Sequence, residues 1–321
     1  MSGTNARKVG VVGGGIFTRM LHAPATALNL DLRVLSEANN HIEDVIPHVV
    51  IGEAANFETL SSFIDSVDLV TFTSDQLSIG MIRRLESKIH PSTEMLSYIN
   101  DPALLKSLEL PIFELPHQER SIRFSILLAR SPHGQIAIWA PTQLIDDDGL
   151  HTITPAPDLS EASANLASAT AAELAQRIGV VGAISVDFVI DGNQLVIDKV
   201  SHPTRMGMWT LDGSMTSFAE QHLRAILDLP LGDTSVKAIE IVTGEIKLGD
   251  YPDLHRAYLH LFAENPRLKV HLFGGGNSAG ETVGYVALPV VESIDDFDAL
   301  ERVRHATDYF AGVTSGRPGA R

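Results

Sequence analysis

Cysteine is absent from this sequence, and aromatic residues make up only 6% of it. Without cysteine, thiol nucleophiles, disulfides and cysteine-ligated metals are excluded, and a cytoplasmic location is the natural expectation. The few aromatic residues predict a core of aliphatic side chains. Such a core suits a parallel or mixed sheet covered by helices better than an aromatic-rich β-sandwich.

Positive charge is also scarce, since 24 Lys and Arg face 40 Asp and Glu, for a net charge of −16. This field repels phosphate backbones and anionic membrane surfaces, so we expect neither nucleic acid nor membrane as a partner. A small anionic ligand would need a local basic pocket. No apolar run approaches the length of a membrane span or a signal region, so we expect a soluble, unprocessed protein.

The first third of the chain has the pattern of a doubly wound α/β domain. A short apolar run, Lys8–Val12, ends in three glycines and is followed by a helical segment over Ile16–Leu28 and a second strand over Leu32–Leu35. A further buried strand is predicted over Val67–Phe72 and a helix over Ser78–Lys88. We therefore assign residues 1–108 to a Rossmann-like domain.

Two further units follow in the pattern. Residues 109–245 predict an α+β unit, and residues 246–321 predict a small β-rich C-terminal domain with a tail. The strands of these units are predicted over 122–128, 135–139, 182–190, 194–200, 269–273 and 282–288, and the helices over 160–178, 214–227 and 294–310.

Several segments, in order, resemble carboxyaminoimidazole ribonucleotide synthetase, an ATP-grasp enzyme of purine synthesis. They read VGVVGGGIFTRML at 9–21, HPSTEMLSYINDPALLKSLELP at 90–111, SILLARSPHGQIAIWAPTQLIDDDGLHTITPAP at 125–157 and QHLRAILDLPLGDT at 221–234. The resemblance implies an ATP-grasp fold behind a pre-ATP-grasp domain, and a homodimer. It also implies a chemistry in which ATP and bicarbonate carboxylate an aminoimidazole ribonucleotide, with magnesium held by two acidic residues.

The sequence departs from that family first by a deletion. A lid domain that covers the ATP phosphates should precede the strand at Ser125–Ala129, but only Leu110 to Arg123 occupies the interval. So short a segment cannot fold into a sheet-and-helix lid. The alternative is a lid compressed elsewhere in the chain. We expect a truncated ATP-grasp core.

The metal position is altered as well. Asp187 keeps the first acidic position, but the second reads Asp198-Lys199, so that Lys199 replaces a glutamate. An ammonium group cannot ligate Mg²⁺, which requires oxygen, and we predict no metal. Lys199 either replaces the cation between Asp187 and Asp198 as an internal ion pair, or points away and solvates a strand end.

The substrate regions are rebuilt too. The substrate loop reads SHPTRMGMW over 201–209, which keeps Gly207 and Trp209 but is one residue short. The phosphate stretch at 274–282 has no Lys or Arg. The first glycine loop has Ile16 and Thr18 in place of family residues, although Arg19 persists. A dinucleotide site at this loop is the alternative interpretation.

We therefore predict a repurposed enzyme that acts on a small molecule in the old substrate cleft, without ATP or another cofactor. The alternatives are a non-catalytic binding or regulatory subunit and an orthodox ATP-dependent carboxylating synthetase. The predicted catalytic residues are Asp187, Asp198, Lys199, His202 and Arg205. The predicted substrate-binding residues are Gly14, Gly15, Arg19, Asp75, Trp209, Asn277 and Ser278.

Overall fold

The fold was analysed in a computed structural model of the 321-residue chain. The structure describes residues 6–37, 42–73, 79–83, 88–108, 113–114, 121–146, 149–202, 205–247, 254–273, 280–291 and 296–312. Two sheets organise this part of the chain.

The first sheet has four parallel strands in the order β3-β2-β1-β4, as expected for a doubly wound domain. The strands are β1 (Lys8–Val12), β2 (Asp31–Ser36), β3 (His48–Ile51) and β4 (Leu69–Phe72). The helices of this region are α1 (Ile16–Ala27), α2 (Phe57–Asp65), α3 (Ile79–Ile82), α4 (Thr93–Asn100) and α5 (Pro102–Lys106), with a 3₁₀ turn at Ile42–Asp44. α1 and α2 belong to different apolar clusters, so both faces of the sheet are covered.

The predicted helix over Ser78–Lys88 is only partly described. Its residues Ile79–Ile82 form α3, while Ser78 and residues 84–87 lie outside the described residues.

The second sheet is antiparallel and has ten strands. Nine of them follow the order β13-β14-β12-β9-β8-β6-β10-β11-β5, and β7 pairs with β6. The strands are β5 (Phe113–Glu114), β6 (Ile122–Arg130), β7 (Ile136–Ile138), β8 (Thr142–Asp146), β9 (His151–Thr154), β10 (Gly182–Asp191), β11 (Gln194–Ser201), β12 (Glu240–Lys247), β13 (Lys269–Leu272) and β14 (Thr282–Val290). The predicted hairpin around Asp191 and Gly192 is therefore confirmed.

Five helices accompany this sheet: α6 (Glu161–Arg177), α7 (Thr210–Gly213), α8 (Phe218–Ile226), α9 (Leu254–Glu264) and α10 (Asp296–Phe310). The helix predicted from residue 214 instead begins at Phe218, because Ser217 caps it by accepting a hydrogen bond from the Glu220 N–H. No helix of the described residues is long and apolar enough to cross a bilayer.

The predicted division at residues 245 and 246 requires correction. It falls inside β12, which pairs with β9 of the predicted core on one side and with β14 of the predicted C-terminal domain on the other. The two predicted units therefore share one continuous sheet. Sequence patterning missed this because the change in composition after residue 246 follows the strand that joins them.

The two sheets meet in one apolar cluster. Phe17 from α1 stacks on Phe218 from α8 at 5.5 Å between ring centroids. The same cluster includes Leu127 of β6 and Ala183 of β10. The Phe17 ring also lies 5.9 Å from that of His202, which brings the start of α1 close to the carboxyl end of β11, where the predicted substrate loop begins.

Candidate functional site

A cavity of about 400 Å³ lies on the second sheet beside the first domain. All five predicted catalytic residues line it: Asp187, Asp198, Lys199, His202 and Arg205. β10 and β11 supply the first three and the following loop supplies the last two. Thr73, after β4, and Arg123, on β6, also contribute to its wall.

Asp187 is the central carboxylate of this cavity. Its Oδ1 atom accepts hydrogen bonds from the Ser125 hydroxyl at 2.6 Å and the Ser185 hydroxyl at 2.9 Å. Burial raises the pKa of Asp187, while the two serine hydrogen bonds and the Lys199 charge act in the opposite direction. The result is a buried carboxyl group that holds its proton more readily than a free aspartate.

A β-bulge explains how neighbouring residues of β11 reach the same cavity. Asp187 pairs with Lys199, but Phe188 pairs with Ile197, so Asp198 is the extra residue of the bulge. Successive strand residues normally point to opposite faces, and a bulge re-aims one of them. Asp198 and Lys199 therefore both line the cavity.

The structure contradicts one of the two interpretations of Lys199, the internal ion pair. Lys199 and Asp198 are both exposed, and no described carboxylate lies within salt-bridge distance of Lys199. Lys199 instead acts on Asp187 at longer range, since its charge lowers the pKa of Asp187 against the effect of burial. The ammonium group thus faces the cavity and is available to a ligand.

His202 lies against the first domain. Its ring packs at 5.9 Å from that of Phe17, with an interplanar angle of 33°. Burial first, and then the charge of the nearby His202, lower the pKa of His222. His202 is thus held at the junction of the two sheets, at one end of the cavity.

Arg205 pairs with a residue that the sequence did not single out. Its guanidinium donates to Glu245 on β12 at 3.0 Å, and this carboxylate is only 5% exposed, against 61% for the Arg205 side chain. The Thr282 hydroxyl donates to the second oxygen of Glu245 at 2.9 Å. Burial and Glu245 together raise the pKa of Tyr285. Arg205 is therefore anchored at one edge while its side chain remains open to the cavity.

The glycine turn contributes indirectly. The Thr18 hydroxyl donates to the Gly13 carbonyl at 2.5 Å and lies 2.8 Å from the Thr73 hydroxyl, which reaches the cavity. The predicted ligand-binding residues Gly14, Gly15 and Arg19 are not among the described residues that line the cavity. Gly15 occupies the N-cap position of α1. Burial lowers the pKa of Arg19, while the charges of Asp44 and Glu43 in the 3₁₀ turn act in the opposite direction.

The remaining predicted binding residues differ in position. Trp209 is 1% exposed and belongs to the apolar core, where its Nε1 atom has no hydrogen-bond partner within the described residues. Trp209 is therefore a core residue and is not among the described residues that line the cavity. Asp75, Asn277 and Ser278 lie outside the described residues.

His222 is a junction residue that sequence reasoning missed. Its Nδ1 atom accepts the Ala183 N–H at 3.1 Å, so its Nε2–H donates to the Thr71 hydroxyl at 2.8 Å. The ring thereby joins β10 of the second sheet to β4 of the first. Complete burial, followed by the charges of His202 and His90, lowers its pKa to about 3. A histidine on an apolar helix face gives no such signal in sequence.

Comparison with known proteins agrees with this architecture. Residues 6–100 match the ribonucleotide synthetase pre-ATP-grasp domain, and residues 119–218 match the ATP-grasp domain. Together with the two sheets, these matches place the chain in the ATP-grasp class. Within that class, it resembles the N5-carboxyaminoimidazole ribonucleotide synthases.

Two curated relatives carry that name. The protein from Mycobacterium bovis is 29% identical over 353 residues, covering 87% of this chain and 82% of the relative. The protein from Corynebacterium ammoniagenes is 26% identical over 386 residues, covering 95% and 92%. The sequence resemblance stated above is confirmed by these matches.

Solved structures confirm the fold. N5-carboxyaminoimidazole ribonucleotide synthetase from Thermus thermophilus superimposes with a TM-score of 0.79 at 21% identity, covering 97% of this chain and 100% of that one. The Aspergillus clavatus synthase, solved with ADP and 5-aminoimidazole ribonucleotide, gives 0.81 at 19% identity, covering 95% and 99%.

The alignment lengths bear on the predicted deletion. The alignment to the Mycobacterium bovis protein spans 353 residues, which exceeds the 321 residues of this chain. The relative therefore contains stretches that this chain lacks. In this structure, α5 ends at Lys106 and β6 begins at Ile122.

Proposed function

We propose that this protein is an enzyme that transfers protons on a small anionic molecule bound in the cavity, without using ATP. The observation that carries the proposal is the convergence of Asp187, Lys199, His202 and Arg205 on one cavity. Each offers a different capacity: a carboxyl with a raised pKa, an exposed ammonium, an imidazole and an anchored guanidinium.

The local charge supports an anionic ligand. The cavity is lined by three cations, Arg123, Lys199 and Arg205, against two carboxylates, Asp187 and Asp198. Although Glu245 pairs with Arg205, the cavity lining itself carries more cations than carboxylates in a chain of net charge −16. Such a pocket concentrates small anions in spite of the overall field.

The acid–base chemistry would centre on Asp187. A carboxyl whose pKa is raised by burial exchanges a proton more readily near neutral pH than an ordinary aspartate. The two serine hydroxyls donate to its Oδ1, and we assign the proton exchange to Oδ2. Lys199, opposite Asp187, would stabilise negative charge that develops on the ligand.

The magnesium of the family chemistry does not fit these residues. Mg²⁺ takes oxygen ligands in an octahedral arrangement. Here the residue paired with Asp187 across the ladder is Lys199, and one oxygen of Asp187 is already used by two hydroxyls. The short interval between α5 and β6 further argues against a lid over ATP phosphates.

An ATP-dependent carboxylating synthetase is the second candidate. It is favoured by the curated relatives that carry this name and match across most of their length. A non-catalytic binding or regulatory subunit is the third outcome that the experiment must separate.

The test combines ligand binding with proton exchange. A panel of small carboxylates, phosphates and 5-aminoimidazole ribonucleotide is screened by thermal shift, and ligands that stabilise the chain are incubated in D₂O and followed by NMR. We expect at least one anion to bind, with roughly tenfold or greater weakening in Lys199→Ala. Lys269→Ala, an exposed lysine on β13, is the matched control.

Deuterium incorporation that is lost in Asp187→Asn, with binding retained, would support proton transfer. Binding without any chemical change would favour the regulatory subunit instead. Phosphate release that depends on ATP, bicarbonate and 5-aminoimidazole ribonucleotide would establish the synthetase.

A further inference from the structure

Two helices at the far end of the second sheet bring three metal-binding side chains together. His260 and Glu264 lie four residues apart on α9 and so share one helix face. His305 comes from α10. Both helices are packed through buried residues such as Leu261 and Val303 into one apolar cluster, which fixes their relative position.

The three ligand atoms form a nearly equilateral triangle. The Nε2 atoms of His260 and His305 are 3.3 Å apart, and they lie 3.5 Å and 3.4 Å, respectively, from Oε2 of Glu264. Hydrogen bonds between charged groups are shorter, at about 2.7–2.9 Å. A tetrahedral ion with bonds of about 2.0–2.1 Å holds its ligands about 3.3–3.4 Å apart, which matches this triangle.

We propose that His260, Glu264 and His305 bind a divalent transition metal ion of the Zn²⁺ type. Two imidazoles and one carboxylate are a donor set that suits Zn²⁺, with a fourth position left for water. Mg²⁺ and Ca²⁺, which prefer oxygen ligands only, are disfavoured. The site is separate from the cavity around Asp187, so it stands or falls independently of the proposed function.

The surroundings suit an accessible site. The His260, His305 and Glu264 side chains are 34%, 22% and 45% exposed, so an ion can enter from solvent. The Tyr309 ring stacks on His260 at 4.5 Å, which orients the imidazole. Glu264 also lines a cavity of about 380 Å³, which provides space beside the carboxylate.

An ion at this position would cross-link α9 and α10 through its ligands. Because metal is bound by the folded arrangement, it would stabilise the C-terminal part of the second sheet. The competing explanation is a hydrogen-bonded His–Glu cluster that binds no metal.

Calorimetric titration of the full chain, freed of metal by chelation, separates the two. We expect ZnCl₂ to bind with one ion per chain and to raise the melting temperature, whereas MgCl₂ does neither. His260→Ala and His305→Ala should each weaken Zn²⁺ binding by tenfold or more, as should the milder Glu264→Gln. Circular dichroism of the metal-free variants reports whether they remain folded.

His133→Ala is the matched control, because His133 also faces a carboxylate, Asp228, but lacks a second imidazole ligand in the described cluster. Titration with Co²⁺ adds a spectroscopic readout, since a tetrahedral site gives strong visible absorption bands. Zn²⁺ binding that is undetectable, or that survives all three substitutions with only the loss seen for the control, would overturn the proposal.

Discussion

Lys199 lies directly opposite Asp187 across the β10–β11 ladder, and the bulge at Asp198 turns the adjacent carboxylate toward the same cavity. This places an exposed cation beside a buried carboxyl with a raised pKa. A buried carboxylate of this kind costs folding free energy at neutral pH, and such costs are typical of functional sites.

Replacing Asp187 with asparagine should therefore stabilise the protein at neutral pH while removing the proposed proton transfer. Asparagine keeps an oxygen that accepts the Ser125 and Ser185 hydroxyls but carries no charge. Because burial raises the folded-state pKa, the aspartate favours folding most below the unfolded value of 3.8 and loses that contribution as pH rises through the folded value.

The gain should thus amount to a rise of a few degrees in melting temperature at pH 7 and disappear below about pH 4. Asp191→Asn, in the exposed turn of the same hairpin, is the control and should change little. A lower melting temperature for Asp187→Asn at pH 7 would contradict the account of its burial.

His222 should make the protein sensitive to mild acid. Its pKa is about 3 in the folded chain against 6.5 for a free histidine. Since the unfolded state binds a proton first, the stabilisation is complete above pH 6.5 and is lost as pH falls toward 3. At full titration this amounts to roughly 4–5 kcal/mol.

His222→Gln keeps an acceptor for Ala183 and a donor for Thr71 but removes the titration. Urea unfolding at pH 7, 5.5 and 4 should show a shallower loss of stability in this variant than in the wild type. His133→Gln, whose imidazole is 82% exposed, provides the control. Parallel pH profiles for wild type and His222→Gln would rule the mechanism out.

Gly182 should not tolerate a side chain. Its φ is +120°, and a Cβ would lie 2.9 Å from the His222 ring. Gly182→Ala should lower stability by about 2–3 kcal/mol. Gly179→Ala, at φ +66° with nothing within 4 Å, should cost only about 1 kcal/mol. Equal losses in denaturant unfolding would show that the ring does not constrain this position.

A homodimer remains a prediction from the family resemblance. The described residues Ile122 and Phe124 of β6 are buried within one chain, so they do not supply the dimer interface. Analytical ultracentrifugation should give a dimer at micromolar concentration. A single species near 34.7 kDa would contradict the prediction.

Sequence patterning predicted most of the fold because short local segments of the chain determine most of its helices, strands and turns. The run Lys8–Val12 before three glycines and the turn at Asp191-Gly192-Asn193 both specify their elements directly. The site cluster was predictable because the resemblance named the strands that meet there. The order of the strands could not be predicted from the sequence, since β12 joins two units whose compositions differ.

Contacts between residues distant in sequence account for what was missed. Glu245 and His222 each act through partners that lie far away along the chain, Arg205 and Thr71. The metal site was missed for the same reason, although His260 and Glu264 at helical spacing were visible on α9. The convergence of Asp198 and Lys199 on one cavity depends on the bulge, which no residue pattern predicts.

Titration with Mg·ATP decides whether this chain, which has the ATP-grasp fold, still uses ATP, and we propose that it does not. Isothermal calorimetry should detect no binding in the micromolar range. A phosphate-release assay with bicarbonate and 5-aminoimidazole ribonucleotide should give no signal above that of Asp187→Ala. Micromolar affinity for Mg·ATP, or substrate-dependent phosphate release that Asp187→Ala abolishes, would contradict the account and establish the synthetase.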